Sequence, residues 1–169
     1  MMGTLNSIRV LRIGSRVAAA YCSKLLRGFG ARVQALAAPG LEPAPYSPEE
    51  MLWFEIEQGR LDFDWQAPEA AQALHRLLAS VDLLIDARPV EAGDPFGLAA
   101  DALAVRHPRL ITCRISSFGL SGPYRQYQAE DITLYAMSGL MHCTGHGQRE
   151  PLNARPRICE LSGGLNAYA

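Results

Sequence analysis

The chain has 169 residues, 49% of them hydrophobic and 20% charged, with a formal net charge of −1. That length fits a single domain able to bury a core, and the composition excludes a disordered chain. The near-neutral balance gives no general attraction to nucleic acid or to a membrane surface, and no apolar run reaches the ~18 residues a membrane span requires.

Short apolar runs alternate with helical segments along the chain, which predicts an α/β domain with a mostly parallel sheet flanked by helices. "IRVLRI" (8–13) reads as a strand, Gly14 and Ser15 turn the chain, and "VAAAYCSKLLRGFG" is a helix closed by Gly28 or Gly30. "ARVQALA" (31–37) is the second strand and completes a βαβ unit. Over residues 1–41 the charges are Arg9, Arg12, Arg16, Lys24, Arg27 and Arg32 with no acid, a pattern open to a phosphate-attracting edge or a solvated helix face.

"APGLEPAPYSPEE" (38–50) is a proline-rich surface excursion that ends with Ser47 as N-cap and Pro48 as first residue of a short helix through Trp53. "LDFDW" (61–65) alternates as a half-buried strand. "PEAAQALHRLLAS" is a helix from Pro68 with Ala70, Leu74, Leu77 and Leu78 on one face, and His75 is expected there as a partly exposed or hydrogen-bonded side chain. "VDLLIDA" (81–87) is a buried strand, "LAADALAVRH" (98–107) a short helix and "RLITCRI" (109–115) a further strand. The strands near 8–13, 31–36, 81–86 and 109–115 are expected to lie parallel, because helices join them. "SSFGLSGPY" (116–124) is then a loop at a strand's C-terminal end, where open α/β sheets hold ligands, and a helix starts at Asp131 in "DITLYAMSGLMH".

Several chemistries lack their parts. The first turn, "IGSRVAAAYC", has no G-x-G-x-x-G and no acid ends the second strand at Leu36 or Ala37, so no NAD is expected; a P-loop and a G-x-S-x-G elbow are missing too. Cys22, Cys113, Cys143 and Cys159 are spread without C-x-x-C spacing and read as reduced thiols of a cytoplasmic protein. His142, Cys143 and His146 cluster in "HCTGH", with Cys159 as a conceivable fourth ligand, but a T-G turn interrupts them and loop polarity accounts for them without a metal. Glu160, in "RICELSGGLNAYA" (157–169), stands at a helix start, as either a cap or a reagent.

Ser116, Phe118, Gly119, Gly122, Pro123, Asp131, Ser138, Gly139, Thr144, Gly145 and Pro151 fall in one ungapped series that resembles the core signature of the family III CoA-transferases. That group includes formyl-CoA and carnitine CoA-transferases and the related α-methylacyl-CoA racemase. The similarity runs back through "HPRLI", "VDLLIDARP", "FGLAADAL" and "LLRGFGARV".

The resemblance implies a Rossmann-like N-terminal domain over 1–169, the fragment of a longer parent whose chains interlock as a homodimer. It implies CoA transfer from an acyl-CoA to a small carboxylic acid through an enzyme-carboxylate anhydride, with coenzyme A as substrate thioester and neither metal nor nicotinamide. Glu160 falls on the family's catalytic Asp, one methylene longer, and N–H groups adjoining Gly163 and Gly164 would hold the oxyanion. CoA is expected at Ser15, Arg16, Val17 and Ala18, at Arg60 and at Arg88. Ala37 and Pro95 replace an acid and an arginine of the family, and Glu130 stands where a racemase has histidine. A racemase-like enzyme and a non-catalytic CoA-binding or dimer-forming half are the alternatives, and the fragment alone is expected to be inactive.

Overall fold

Five of the apolar runs pair side by side in the computed structural model, which describes residues 3–37, 47–55, 59–90, 93–154 and 156–169. Among these residues the strands are β1 (Arg9–Ile13), β2 (Arg32–Ala37), β3 (Gly59–Asp62), β4 (Leu83–Asp86) and β5 (Ile111–Arg114), in spatial order β3-β2-β1-β4-β5. Every neighbouring pair is parallel, in the registers Val10↔Val33, Val10↔Leu83, Gln34↔Gly59 and Leu83↔Ile111. The helices are α1 (Val17–Gly28), α2 (Pro48–Glu55), α3 (Ala70–Leu78), α4 (Ala100–Arg106), α5 (Asp131–Met137) and α6 (Ile158–Tyr168).

Alternate strand residues face opposite sides of the sheet, and each side is covered. Val10, Val33 and Ile85 pack with Ala19, Cys22 and Leu26 of α1, and Ala167 and Tyr168 of α6 border that cluster. On the other side Leu11, Ile13, Leu36 and Leu84 meet Leu74 and Leu78 of α3 and Leu103 of α4. Leu11, Ile13, Leu74 and Leu84 are fully buried, each worth about 1.5–3 kcal/mol relative to exposure.

Several elements differ from the sequence reading in their bounds. β3 begins at Gly59 and ends before Phe63, where Phe63 and Trp65 leave the ladder and the Trp65 ring meets Phe63 and Phe96 edge-on, at centroid separations of 4.8 and 5.0 Å. α5 stops at Met137, two residues before Gly139, whose φ of 81° no helix tolerates. On α3 His75 is buried beside Ala70, Leu74 and Leu78, while Leu77 is half-buried. Ser47 does cap α2: its Oγ accepts from the Glu50 N–H (3.2 Å) and Glu50 Oε2 accepts from the Ser47 N–H (2.8 Å), a reciprocal capping box.

The six early cations do not form one edge. Arg9 pairs with Asp82 at the N-terminal end of the sheet, Arg12 is buried in β1, and the Lys24 ammonium sits 4.3 Å from the centre of the Trp53 ring.

The chain leaves β1 toward β2 on one side and returns to β4 on the other, so a crevice opens at the C-terminal ends of β1 and β4. Gly14 (φ 96°) makes this possible: a Cβ there would lie 2.9 Å from the carbonyl of Ala87, the first residue after β4.

Candidate active site

α1 starts at Val17 without a side-chain cap of its own, since Arg16 precedes it in extended conformation. Its unpaired first-turn N–H groups are served from α6: the Ala18 N–H donates to Glu160 Oε2 at 3.0 Å. Arg16 Nη2 donates to Glu160 Oε1 at 3.2 Å and to Ser117 Oγ at 2.9 Å. Glu160 is thus a cap, but of α1 rather than of the helix that carries it, and Arg16 links it to Ser117 of the "SSFGLSGPY" loop.

α6 in turn is capped from α5. Asp131 Oδ1 accepts from the N–H groups of Cys159 (3.0 Å) and Glu160 (3.1 Å), which fixes the backbone of Glu160. The residue before α6, Arg157, is left-handed (φ 68°), a strained conformation for a side chain with a Cβ. Its guanidinium grips Glu50 of α2 at 2.6 and 2.9 Å, and that hydrogen bond, with the Ser47 N–H, holds the Glu50 carboxyl below its ordinary value.

Gly163 and Gly164 lie inside α6 against α1, not around the Glu160 carboxylate. A Cβ on Gly164 would stand 2.5 Å from the Ala18 carbonyl oxygen, so this glycine allows the close helix crossing that brings Glu160 to the first turn. The backbone N–H that points at the carboxylate is that of Ala18 in the first turn of α1.

The other expected CoA contacts are dispersed. Val17 and Ala18 are buried at the start of α1 and Ser15 is half-buried before it. Arg88 is buried, and its Nε and Nη2 donate to the two carboxylate oxygens of Asp86, each at 3.0 Å. Arg114 also ion-pairs with Asp86 and donates to the Arg88 carbonyl at 2.7 Å. Arg88 therefore shapes the crevice floor with its charge already matched. Arg60 stands exposed on edge strand β3, separated from β1 by β2.

A cavity of about 330 Å³ opens beside this arrangement, within the range of ligand pockets, with Arg16, Arg88, Ser116, Ser117, Arg125 and Tyr127 in its wall. The sequence reading did not single out Ser117 or Arg125, and it named Asp131 without the role its carboxylate plays. The only available signal was their position in or after the loop following β5. Among the described residues no group of three or more His, Cys, Asp or Glu side chains is arranged to hold a metal.

Comparisons with known proteins give the family and the fold. The family model described as CoA-transferase family III matches residues 5–169. The chain is 30% identical over 156 residues to a succinyl-CoA–D-citramalate CoA-transferase of Chloroflexus aurantiacus, a match spanning 87% of this chain and 39% of that protein. It is 26% identical to a succinate–glutarate CoA-transferase of Agrobacterium fabrum, over 95% of this chain and 44% of that one. A CaiB/BaiF family protein from Brucella suis has the same fold, with a TM-score of 0.86 at 23% identity over 99% of this chain and 48% of its own. The chain thus spans about two-fifths of the length of these curated relatives.

Proposed function

The chain belongs to the CoA-transferase family III, and from that premise we propose that Glu160 is the carboxylate that takes the acyl group from an acyl-CoA. A Glu160 oxygen attacks the thioester carbonyl carbon, the C–S bond breaks, and CoA leaves as thiolate while a mixed anhydride forms. The thiolate then attacks the Glu160 carbonyl carbon, which releases the first acid and leaves a glutamyl-CoA thioester. The acceptor acid's carboxylate attacks that thioester, again expelling the thiolate, which closes the cycle by attacking the acceptor's carbonyl and freeing Glu160.

The observation that carries this reading is the placement of the Glu160 carboxylate between the Ala18 N–H and Arg16, the latter in the wall of a cavity at the C-terminal ends of the strands. Two donors fix its direction and leave lone pairs for attack, and a first-turn N–H beside an acyl carbonyl favours the charge that develops on it. Its side chain is only 17% exposed, which limits hydrolysis of an anhydride. CoA is expected along the first turn at Ser15 to Ala18, with Arg88 in the crevice floor and Arg60 two strands away on β3. A cytoplasmic interlocked homodimer is part of the proposal on the strength of the family alone. No helix among the described residues is long and apolar enough to cross a membrane. Chain 1–169 by itself is expected to turn over no acyl-CoA.

The second reading, a non-catalytic CoA-binding or dimer-forming half, is favoured by the same bonds: both Glu160 oxygens are engaged, so the residue also serves as a brace between α6 and α1. Hydroxylamine trapping separates the two. The intact protein incubated with acyl-CoA should yield an acyl hydroxamate and a hydroxamate at Glu160, and Glu160→Gln should yield neither. Equal activity of the Gln variant leaves only the brace, and activity gained by Glu160→Asp identifies a disabled enzyme.

A further inference from the structure

Arg157 holds a backbone conformation that its residue type resists, directly before the helix that carries Glu160. Among the described residues every other position with a left-handed φ is a glycine, which adopts it without strain. Glycine would serve a turn alone better, so the Arg157 side chain is there for what it touches. Its Nε and Nη2 donate to Glu50 Oε1 and Oε2 at 2.6 and 2.9 Å, and Glu50 Oε2 also accepts from the Ser47 N–H that caps α2. The Arg157 carbonyl accepts from the Leu161 N–H at 2.9 Å, so this residue sets the direction in which α6 starts.

α2 is a firm partner for this grip. Phe54 is buried with Val17 and Ala20 of α1, and Leu161 of α6 borders that cluster. The Lys24 ammonium donates to the Trp53 carbonyl at 2.8 Å and ties the other end of α2 to α1. The Arg157 and Glu50 side chains are 29% and 34% exposed, and at that exposure an ion pair adds little stability; what its two-point geometry fixes is orientation. We infer that Glu50, acting through Arg157, is a positioning residue for the transfer: the pair holds the strained turn in the form that brings the Glu160 carboxylate to the Ala18 N–H and Arg16. The inference rests on the reading of Glu160 as the attacking group.

Hydroxamate formation by the intact protein with succinyl-CoA as probe, together with thermal melts, separates position from stability. Arg157→Gly removes the grip and relieves the strain, so its melting temperature should hold or rise. Its saturating rate should nevertheless fall by about tenfold or more, with the half-saturating succinyl-CoA concentration unchanged. Glu50→Gln keeps a capping oxygen for Ser47 but turns an amide NH2 toward the Arg157 guanidinium, and should slow the reaction in the same way. Arg157→Lys should recover part of the rate, and the double variant should be no slower than either single one, because both remove one device. An unchanged rate in Arg157→Gly, a rate loss that tracks a loss of melting temperature, or losses that multiply in the double variant would overturn the inference. A second measurement needs no chemistry: the shift in urea midpoint caused by Glu160→Ala, in the wild type and in Arg157→Gly. A smaller shift in the Gly background supports the pair as what places Glu160, and equal shifts defeat it. No hydroxamate from the wild type with the smaller shift present defeats the nucleophile alone; hydroxamate with equal shifts defeats the positioning alone.

Discussion

Asp131 shows how one side chain can position another without touching a substrate. Its Oδ1 accepts both the Cys159 and Glu160 N–H groups, so it does for α6 what an N-cap would do, from 28 and 29 residues away in sequence. Arg157, the residue in the cap position, carries only donors on its side chain and makes no side-chain cap bond. Asp131→Ala should therefore cost about 1–2 kcal/mol in urea denaturation. It should also slow transfer by about tenfold or more, because the Glu160 backbone is released and small displacements are costly in rate. Asp131→Asn retains a carbonyl oxygen and should recover most of both losses; if Asn is as impaired as Ala, the hydrogen bonds are not what positions Glu160.

At the scale of elements, the site exists because α6 lies close against α1, and two adjacent glycines have different shares in that. An alanine Cβ at Gly164 meets the Ala18 carbonyl oxygen at 2.5 Å and Tyr21 Cβ at 3.1 Å, contacts that backbone cannot yield. At Gly163 the nearest atom is Ala18 Cβ at 3.7 Å, an ordinary contact. Both substitutions improve helix propensity by up to about 1 kcal/mol, so sterics decide the sign. Gly164→Ala should destabilise by about 1–3 kcal/mol and pull Glu160 away from the Ala18 N–H, whereas Gly163→Ala should be neutral or stabilising. Paired thermal melts of the two variants decide this, and equal effects would mean that the crossing is looser than described.

For the whole molecule, the telling group is the pair His75 and His107, which joins α3 to the end of α4. His75 Nε2 donates to the Phe96 carbonyl, so its Nδ1 accepts from His107 Nε2, each at 2.9 Å. Burial pushes the His75 pKa down, with Arg106 adding, against the Phe96 carbonyl and Asp94, which raise it. His107 is likewise lowered by burial, then by His75 and Arg106. The unfolded chain thus takes up protons before the folded one, so stability rises with pH across this range. It should be full above about pH 6.5, the ordinary histidine value, fall as the pH drops toward the folded values, and level off below them. Urea midpoints at pH 8, 6.5 and 5 measure the slope, and His107→Gln should flatten it; an unchanged slope would place the titration elsewhere.

Which parts of this were legible in the sequence follows from the range of the forces involved. Hydrophobic alternation and turn residues act over a few positions, so "IRVLRI", "VDLLIDA" and the Ser47 cap before Pro48 announced their elements, and short connections through helices dictated parallel strands. The ends of β3 and α5 were misplaced because they depend on where Phe63, Trp65 and Gly139 settle. The series from Ser116 to Pro151 and the spacing to Glu160 fixed the family and singled out the carboxylate. Nothing local could tell that Glu160 would cap α1 or that Asp131 would cap α6. The Glu160 contacts join residues up to 144 positions apart, and the close crossing of α6 over α1, where Gly164 admits the Ala18 carbonyl, brings those donors and acceptors within hydrogen-bonding reach.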